Sequence, residues 1–137
     1  MHRTSVNPSQ WGLAYQMDQA EVIEGAARVL HCSGQVALEA DPDSELGVSV
    51  IGAGDLRAQI THVLGLIDEL LESAGMSRST LTSLRFFTTD IDGFLENYDV
   101  YAGWIEPAGI RPPQSLLGIN RLVHPDLLVE IEATAAA

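Results

Sequence analysis

The sequence predicts an α+β domain in which two helices cover one face of a mixed sheet, and three observations carry that expectation. Leu56, Ile60, Val63, Leu64, Ile67, Leu70 and Leu71 recur at spacings of three and four, the period of a helix with one apolar stripe. Leu81–Thr89 and Leu127–Ala136 are instead short runs rich in apolar, β-branched and aromatic residues, which reads as strand. The elements run strands, helix, strand, helix, two strands, so both helices are expected on one side of a mixed sheet. With no repeat and no low-complexity stretch, residues 1–137 are expected to form a single domain.

Each element has local reasons. A short apolar segment, Leu13–Met17, opens the chain. Glu21–Glu24 leads through Gly25 into Arg28–Gly34, which predicts a hairpin turning near Gly25. Residues 39–54, with Asp41-Pro42-Asp43 and three glycines, predict the main loop. Asp55 suits the start of the first helix, where a carboxylate meets free N–H groups, and Gly75 suits the position just past its end. A second helix is predicted over 92–106, with Phe94, Tyr98, Tyr101 and Ile105 on one face and Pro107 and Gly109 ending it. Pro112-Pro113 forces an extended entry into a strand over 114–122. Val29, Leu84, Phe86, Leu117, Ile119, Leu128 and Ile131 are more apolar side chains than two modest helices cover, which predicts an exposed apolar sheet face and hence oligomerisation.

Charge narrows the partners. The net charge is −12, with seven Lys and Arg to meet phosphates, and backbone neutralisation dominates nucleic-acid affinity. DNA and RNA are therefore not expected as partners. No apolar run reaches the ~18 residues of a membrane span, so no membrane partner is expected. Met1–Ser5 runs into polar residues without the apolar core of a signal peptide, so the cytoplasm is the expected location. Cys32 is the single cysteine and reads as a buried core residue rather than a nucleophile. His31, His62 and His124 have no metal-site spacing, so neither metal nor cofactor is expected.

The last third contains Gly109-Ile110-Arg111-Pro112-Pro113-Gln114-Ser115, then Asn120-Arg121-Leu122, then Val129-Glu130-Ile131-Glu132-Ala133. This order resembles the Rid family, also called YjgF or L-PSP endoribonuclease-like, whose signature runs R-P-A-R-S, A-R-L and I-E-I-E-A. Ser33-Gly34-Gln35 is similar to the family's S-G-Q, Tyr15 to its early tyrosine, and Phe94 and Tyr101 to aromatic positions of its second helix. The resemblance implies a chorismate-mutase-like fold and a homotrimer with ligand clefts between subunits. It also implies a small-molecule ligand, since the deaminase branch hydrolyses enamines and imines such as 2-aminoacrylate.

The chain departs from that pattern where the family's signature arginine grips a substrate carboxylate, because Gln114 stands there. Glutamine carries no charge and cannot form the two-pronged ion pair of a guanidinium, a loss of about 2–4 kcal/mol of binding. Leu116 replaces a frequent cysteine, and Tyr98 aligns with a frequent asparagine, Asn97 being one place earlier. The resemblance thus implies a divergent member that is not an efficient 2-aminoacrylate deaminase.

Glu130 aligns with the glutamate that orients the attacking water, which makes it the candidate general base; the alternative is a solvated strand residue. Glu132 shares its strand face and shares that candidacy. Arg111 either replaces the lost arginine or is a surface or interface residue. Tyr15, Ser33 and Gly34 are candidate ligand contacts, the alternative for Ser33-Gly34 being a simple turn. Two functions stay open: hydrolysis or rearrangement of an imine, enamine or related unsaturated metabolite with Glu130 as base, or non-catalytic metabolite binding by a trimer.

Overall fold

The computed structural model describes residues 1–137. Its main sheet joins β3 (Val29–His31) and β4 (Gln35–Val36) to β9 (Val129–Ala136), then β7 (Leu81–Thr88), then β8 (Gln114–Gly118). β7 and β9 pair antiparallel, β7 and β8 parallel, so the sheet is mixed as the sequence predicts. Two small hairpin-like pairs lie outside it: β1 (His2–Val6) with β2 (Ala20–Glu24), and β5 (Leu38–Ala40) with β6 (Val48–Val50) inside the main loop.

Helix α1 (Leu56–Ser73) begins where the Asp55 carboxylate accepts the Ala58 N–H at 3.0 Å, and Gly75 follows its end at φ +70°. Its stripe of Ile60, Val63, Leu64, Ile67 and Leu71 is buried with Leu84, Phe86, Ile131 and Ala133 of β7 and β9 in one core cluster. The predicted helix over 92–106 is two: α2 (Ile91–Glu96) and α3 (Tyr98–Ile105). Asn97 divides them, with its side-chain amide donating to the Gly93 carbonyl at 2.8 Å, a local bond that competes with a continuous helix. Phe86 stacks between both, its ring 5.3 Å from Phe94 and 5.0 Å from Tyr101.

Three expectations need correcting. The hairpin at Gly25 does not form: β2 pairs with β1, fixed by the Arg3–Glu21 ion pair at 3.0 Å, and β3 pairs with β9 instead. β8 stops at Gly118 rather than Leu122, because its partner β7 ends at Thr88, opposite Gly118. The sheet has the surplus apolar face only in part. Leu84, Phe86 and Ile131 lie beneath the helices, and the opposite face carries Arg85, Glu130, Glu132 and Thr134 in register, with Phe87, the exposed Leu117 and Val29, and Val36 as its apolar members. Counting apolar residues without assigning each to a face overstated what is left uncovered.

Gln59, fully buried on α1, ties the loops together. Its amide donates to the carbonyls of Gly52 (3.2 Å) and Asp126 (2.9 Å) and accepts the Leu128 N–H at 2.8 Å. It holds β9 and the loop before it against the helix layer.

Candidate functional site

The strand register sorts the candidate residues before any side chain is considered. Gln114 is opposite Leu84 and Leu116 opposite Phe86, both helix-facing positions of β7. Glu130 is opposite Phe87 and Glu132 opposite Arg85, positions on the other face. Side chains alternate along a strand, so one chain carries these residues on two sides of one sheet.

On the helix side lies a cavity of about 400 Å³. Its floor is Phe86, Gln114 and Leu116 from β7 and β8; Leu95 and Tyr98 come from the break between α2 and α3. Its cover is a single 3-10 turn, Trp11–Tyr15, with Met17 just beyond, and Trp11 and Tyr15 leave much of their rings exposed at the mouth. No wall residue carries a charge, and Gln114 is the single one that is not apolar or aromatic.

The turn is fastened by hydrogen bonds. The Tyr98 hydroxyl donates to the Tyr15 carbonyl, and the Gln114 Nε2 donates to the same carbonyl at 3.2 Å and to the Tyr98 oxygen at 2.6 Å. A carbonyl can only accept, so the amide orientation of Gln114 is determined: nitrogen toward Tyr15, Oε1 away. That Oε1 is buried without a partner. Burial pushes the Tyr98 hydroxyl above the ordinary phenol range, outweighing the lowering by its Gln114 hydrogen bond, with the nearby Tyr15 hydroxyl adding to the rise. The rings of Tyr15 and Tyr98 meet edge to face at 6.0 Å.

On the opposite face, Gly34 lies directly on Glu130. A Cβ at Gly34 would come within 2.6 Å of the Glu130 carboxyl carbon, so glycine is required for that approach. Burial first, and then the neighbouring Glu132 charge, raise the Glu130 carboxyl above the usual range. Ser33 precedes Gly34 and its carbonyl accepts from the Gln35 side chain at 2.9 Å. Cys32, expected in the core, is half-buried and borders a polar hollow beside Arg85 and Glu132, and burial raises its thiol above the ordinary range.

Arg111 belongs to neither group. Its Nε donates to Asp18 at 3.0 Å, and Asp18, 3% exposed, also accepts from Ser5 at 2.6 Å and Asn7 at 2.9 Å. Burial alone would raise this carboxyl, but the three donors and the Arg111 charge bring it below the ordinary range. The Asp18 N–H donates back to the Arg111 carbonyl at 2.9 Å, so the pair anchors the covering turn to the loop before β8. Arg111 is thus absent from the cavity wall, where the first of its two readings, a substitute for the missing arginine, would have put it.

Tyr15, Tyr98, Gln114 and Leu116 therefore come together, Gly34 lies against Glu130 with Ser33 next to it in the chain, and Arg111 pairs with Asp18. Sequence reasoning missed Trp11, Met17 and Leu95 as wall residues and Asp18 as anchor. Leu95 lies three residues before Tyr98, a spacing that signals a shared helix side, but Trp11 opens a single short turn and Met17 lies just past it, with no periodicity to read.

No helix is long and apolar enough to cross a membrane. A RutC family protein of Aquifex aeolicus is 26% identical over 105 residues, which cover 76% of this chain and 78% of that protein. The Rid family protein YyfB of Yersinia pestis, itself described as of unknown function, superposes with a TM-score of 0.83 at 28% identity over the whole of both chains. Escherichia coli TdcF, solved with bound serine, superposes with a TM-score of 0.66 at 25% identity, covering 88% of this chain and 87% of its own. The profile of endoribonuclease L-PSP matches residues 18–137, which leaves Trp11, Tyr15 and Met17 outside the matched span. On that match, and on the mixed sheet it shares with Rid and YjgF structures, the chain belongs to the endoribonuclease L-PSP (Rid/YjgF) family.

Proposed function

We propose that the protein is a homotrimer that hydrolyses or rearranges a small imine, enamine or related unsaturated metabolite in clefts between subunits. In each cleft, one subunit contributes the cavity of Tyr15, Tyr98, Gln114 and Leu116, and its neighbour contributes Glu130, Ser33 and Gly34. The observation that carries this reading is the division of the candidate residues between two faces of one sheet. A cavity without a base and a base without a cavity are each incomplete, and a symmetric assembly joins them.

The chemistry assigned to Glu130 is general-base hydration. Its carboxylate takes a proton from water as the water oxygen bonds to the imine carbon and passes it to the nitrogen, giving a carbinolamine; the hydroxyl proton then moves to the nitrogen as the C–N bond breaks, leaving ammonia and a carbonyl product. A carboxyl raised by burial and by Glu132 is closer to neutral pH, which strengthens it as a base. Efficient turnover of 2-aminoacrylate is not part of the proposal, because no cation lines the cavity to hold a carboxylate. Nucleic acid is excluded from the proposed partners on the −12 charge.

The apolar wall also supports a second reading, a trimer that binds a metabolite without transforming it. Light scattering tests the assembly and should give about three times the 14.7 kDa chain. Release of ammonia from imines generated in situ, lost in Glu130→Gln, separates the enzyme from the binder. A clean monomer removes the shared cleft.

A further inference from the structure

We infer that Arg85 and Phe87 select the substrate of the shared cleft, and that this substrate is a planar imine or enamine whose carboxylate lies a ring's length from the reacting carbon rather than on it. The inference rests on the proposed cleft with Glu130 as base, and it concerns what surrounds that base on its own subunit.

Glu130 stands in a row of side chains that crosses the sheet on the face away from the helices. Val36 on β4 is opposite it on one side and Phe87 on β7 on the other, with Leu117 on β8 beyond Phe87. The base is thereby bordered by apolar groups, and the half-buried ring of Phe87 is a platform for a flat ligand. The next row on the same face holds Glu132, Arg85 and Ser115. Arg85 is two residues from Phe87, about 7 Å along the strand, and lies diagonally across from Glu130 at about 7–8 Å.

Arg85 is free to take a ligand. Arg3, Arg57, Arg78 and Arg111 are held by carboxylates and Arg28 by the Ala74 carbonyl, while Arg121 lies outside the sheet in the loop after β8. Arg85 is exposed, forms no ion pair even with Glu132 opposite, and borders a hollow of about 240 Å³ with Ser83 and Thr134. A guanidinium in this state offers its planar fork to a carboxylate. The Glu132 charge beside it disfavours free anions, so an anion gains there when the rest of its molecule is already held in the cleft. A carboxylate on the imine carbon, brought to Glu130, falls short of Arg85; one carried across a six-membered ring over Phe87 spans the interval.

Calorimetry on the full chain at neutral pH with 4-carbamoylbenzoate and its methyl ester tests this. Each carries an unreactive amide in place of the imine, and the two differ in charge at the far end. The carboxylate should bind about 10-fold more tightly than the ester, the size of one charge-assisted contact. Arg85→Gln should bring the two to equal affinity, and Arg85→Lys should keep part of the difference, because lysine retains the charge without the fork. Oxamate, with its carboxylate directly on the amide carbon, should bind the wild type no more tightly than Arg85→Gln. Phe87→Leu should weaken both ring ligands about 3-fold while keeping their ratio. Equal affinity of carboxylate and ester for the wild type overturns the inference, as does a preference that survives Arg85→Gln or an oxamate affinity that falls with it. Ring ligands that fail to bind, or that bind unchanged to Phe87→Leu, overturn it as well. Imine hydrolysis is read separately: if Glu130→Gln hydrolyses imines as the wild type does, the catalytic reading fails while the Arg85 preference still stands on the binding results.

Discussion

The amide nitrogen of Gln114 lies 2.6 Å from the hydroxyl oxygen of Tyr98, and both groups donate to one acceptor, the carbonyl of Tyr15. The side chain standing where the family resemblance implies a carboxylate-gripping arginine is therefore engaged in closing the site. An uncharged amide that fastens the covering turn stands at that position.

Restoring the guanidinium there should change the substrate range. Gln114→Arg is expected to raise kcat/KM on small 2-imino acids by about 10-fold, equivalent to about 1.4 kcal/mol of transition-state binding. Adding Glu130→Gln should remove the gain. A wild-type protein that already turns over 2-aminoacrylate efficiently would show that backbone groups hold the carboxylate without any arginine.

The pH profile reports the pair of glutamates. Glu130 must be ionised to act as base, so activity should rise with pH through a midpoint above the ordinary glutamate range. Burial is the larger cause of that elevation and Glu132 the second. Glu132→Gln should therefore move the midpoint to lower pH without abolishing the rise, and an unmoved midpoint would remove Glu132 as a contributor.

Asp18 makes stability depend on acid. Its folded-state carboxyl is depressed, so its contribution is present above the unfolded value of about 3.9 and is lost as pH falls through the folded one. Asp18→Asn should cost about 1–3 kcal/mol at pH 7 and flatten the acid limb of the denaturation curve. It should also loosen the covering turn, since Arg111 and Asp18 bind each other through side chain and backbone.

Gln59→Leu should be among the more damaging single changes far from the cavity. It strands the Leu128 N–H and two carbonyls, a cost of about 2–3 kcal/mol, and at roughly 3 °C per kcal/mol the Tm should fall by about 6–9 °C. Thermal unfolding followed by circular dichroism measures it.

Much of this architecture was readable where one physical signal dominated. The three-four spacing of Leu56 to Leu71 located α1, and the composition of 81–89 located β7, because each buries one continuous surface. The Gly25 hairpin was misread because β1, His-Arg-Thr-Ser-Val, has no apolar alternation and joins β2 with help from the ion pair of Arg3 and Glu21. The family resemblance singled out Gln114, Tyr98 and Tyr15 one by one, with Tyr15 set beside Ser33 and Gly34; the latch that joins the three depends on a main-chain carbonyl, which no side-chain pattern records. Arg111 was ambiguous for a related reason: its partner Asp18 lies 93 residues earlier, and only the folded chain brings the two together.

The shared cleft is tested most directly by mixing two inactive variants. Leu116→Trp fills the cavity and keeps Glu130; Glu130→Gln keeps the cavity and loses the base. Each is assayed alone, and then as an equal mixture unfolded and refolded together, with the imine formed in situ from benzylamine by an amine oxidase. If every cleft takes its cavity from one subunit and its base from the next, random reassembly leaves about a quarter of clefts intact, and the mixture should recover about a quarter of wild-type activity. A mixture as inactive as its two components, although refolded to the mass of the wild type, would place both functions within one chain and contradict the account.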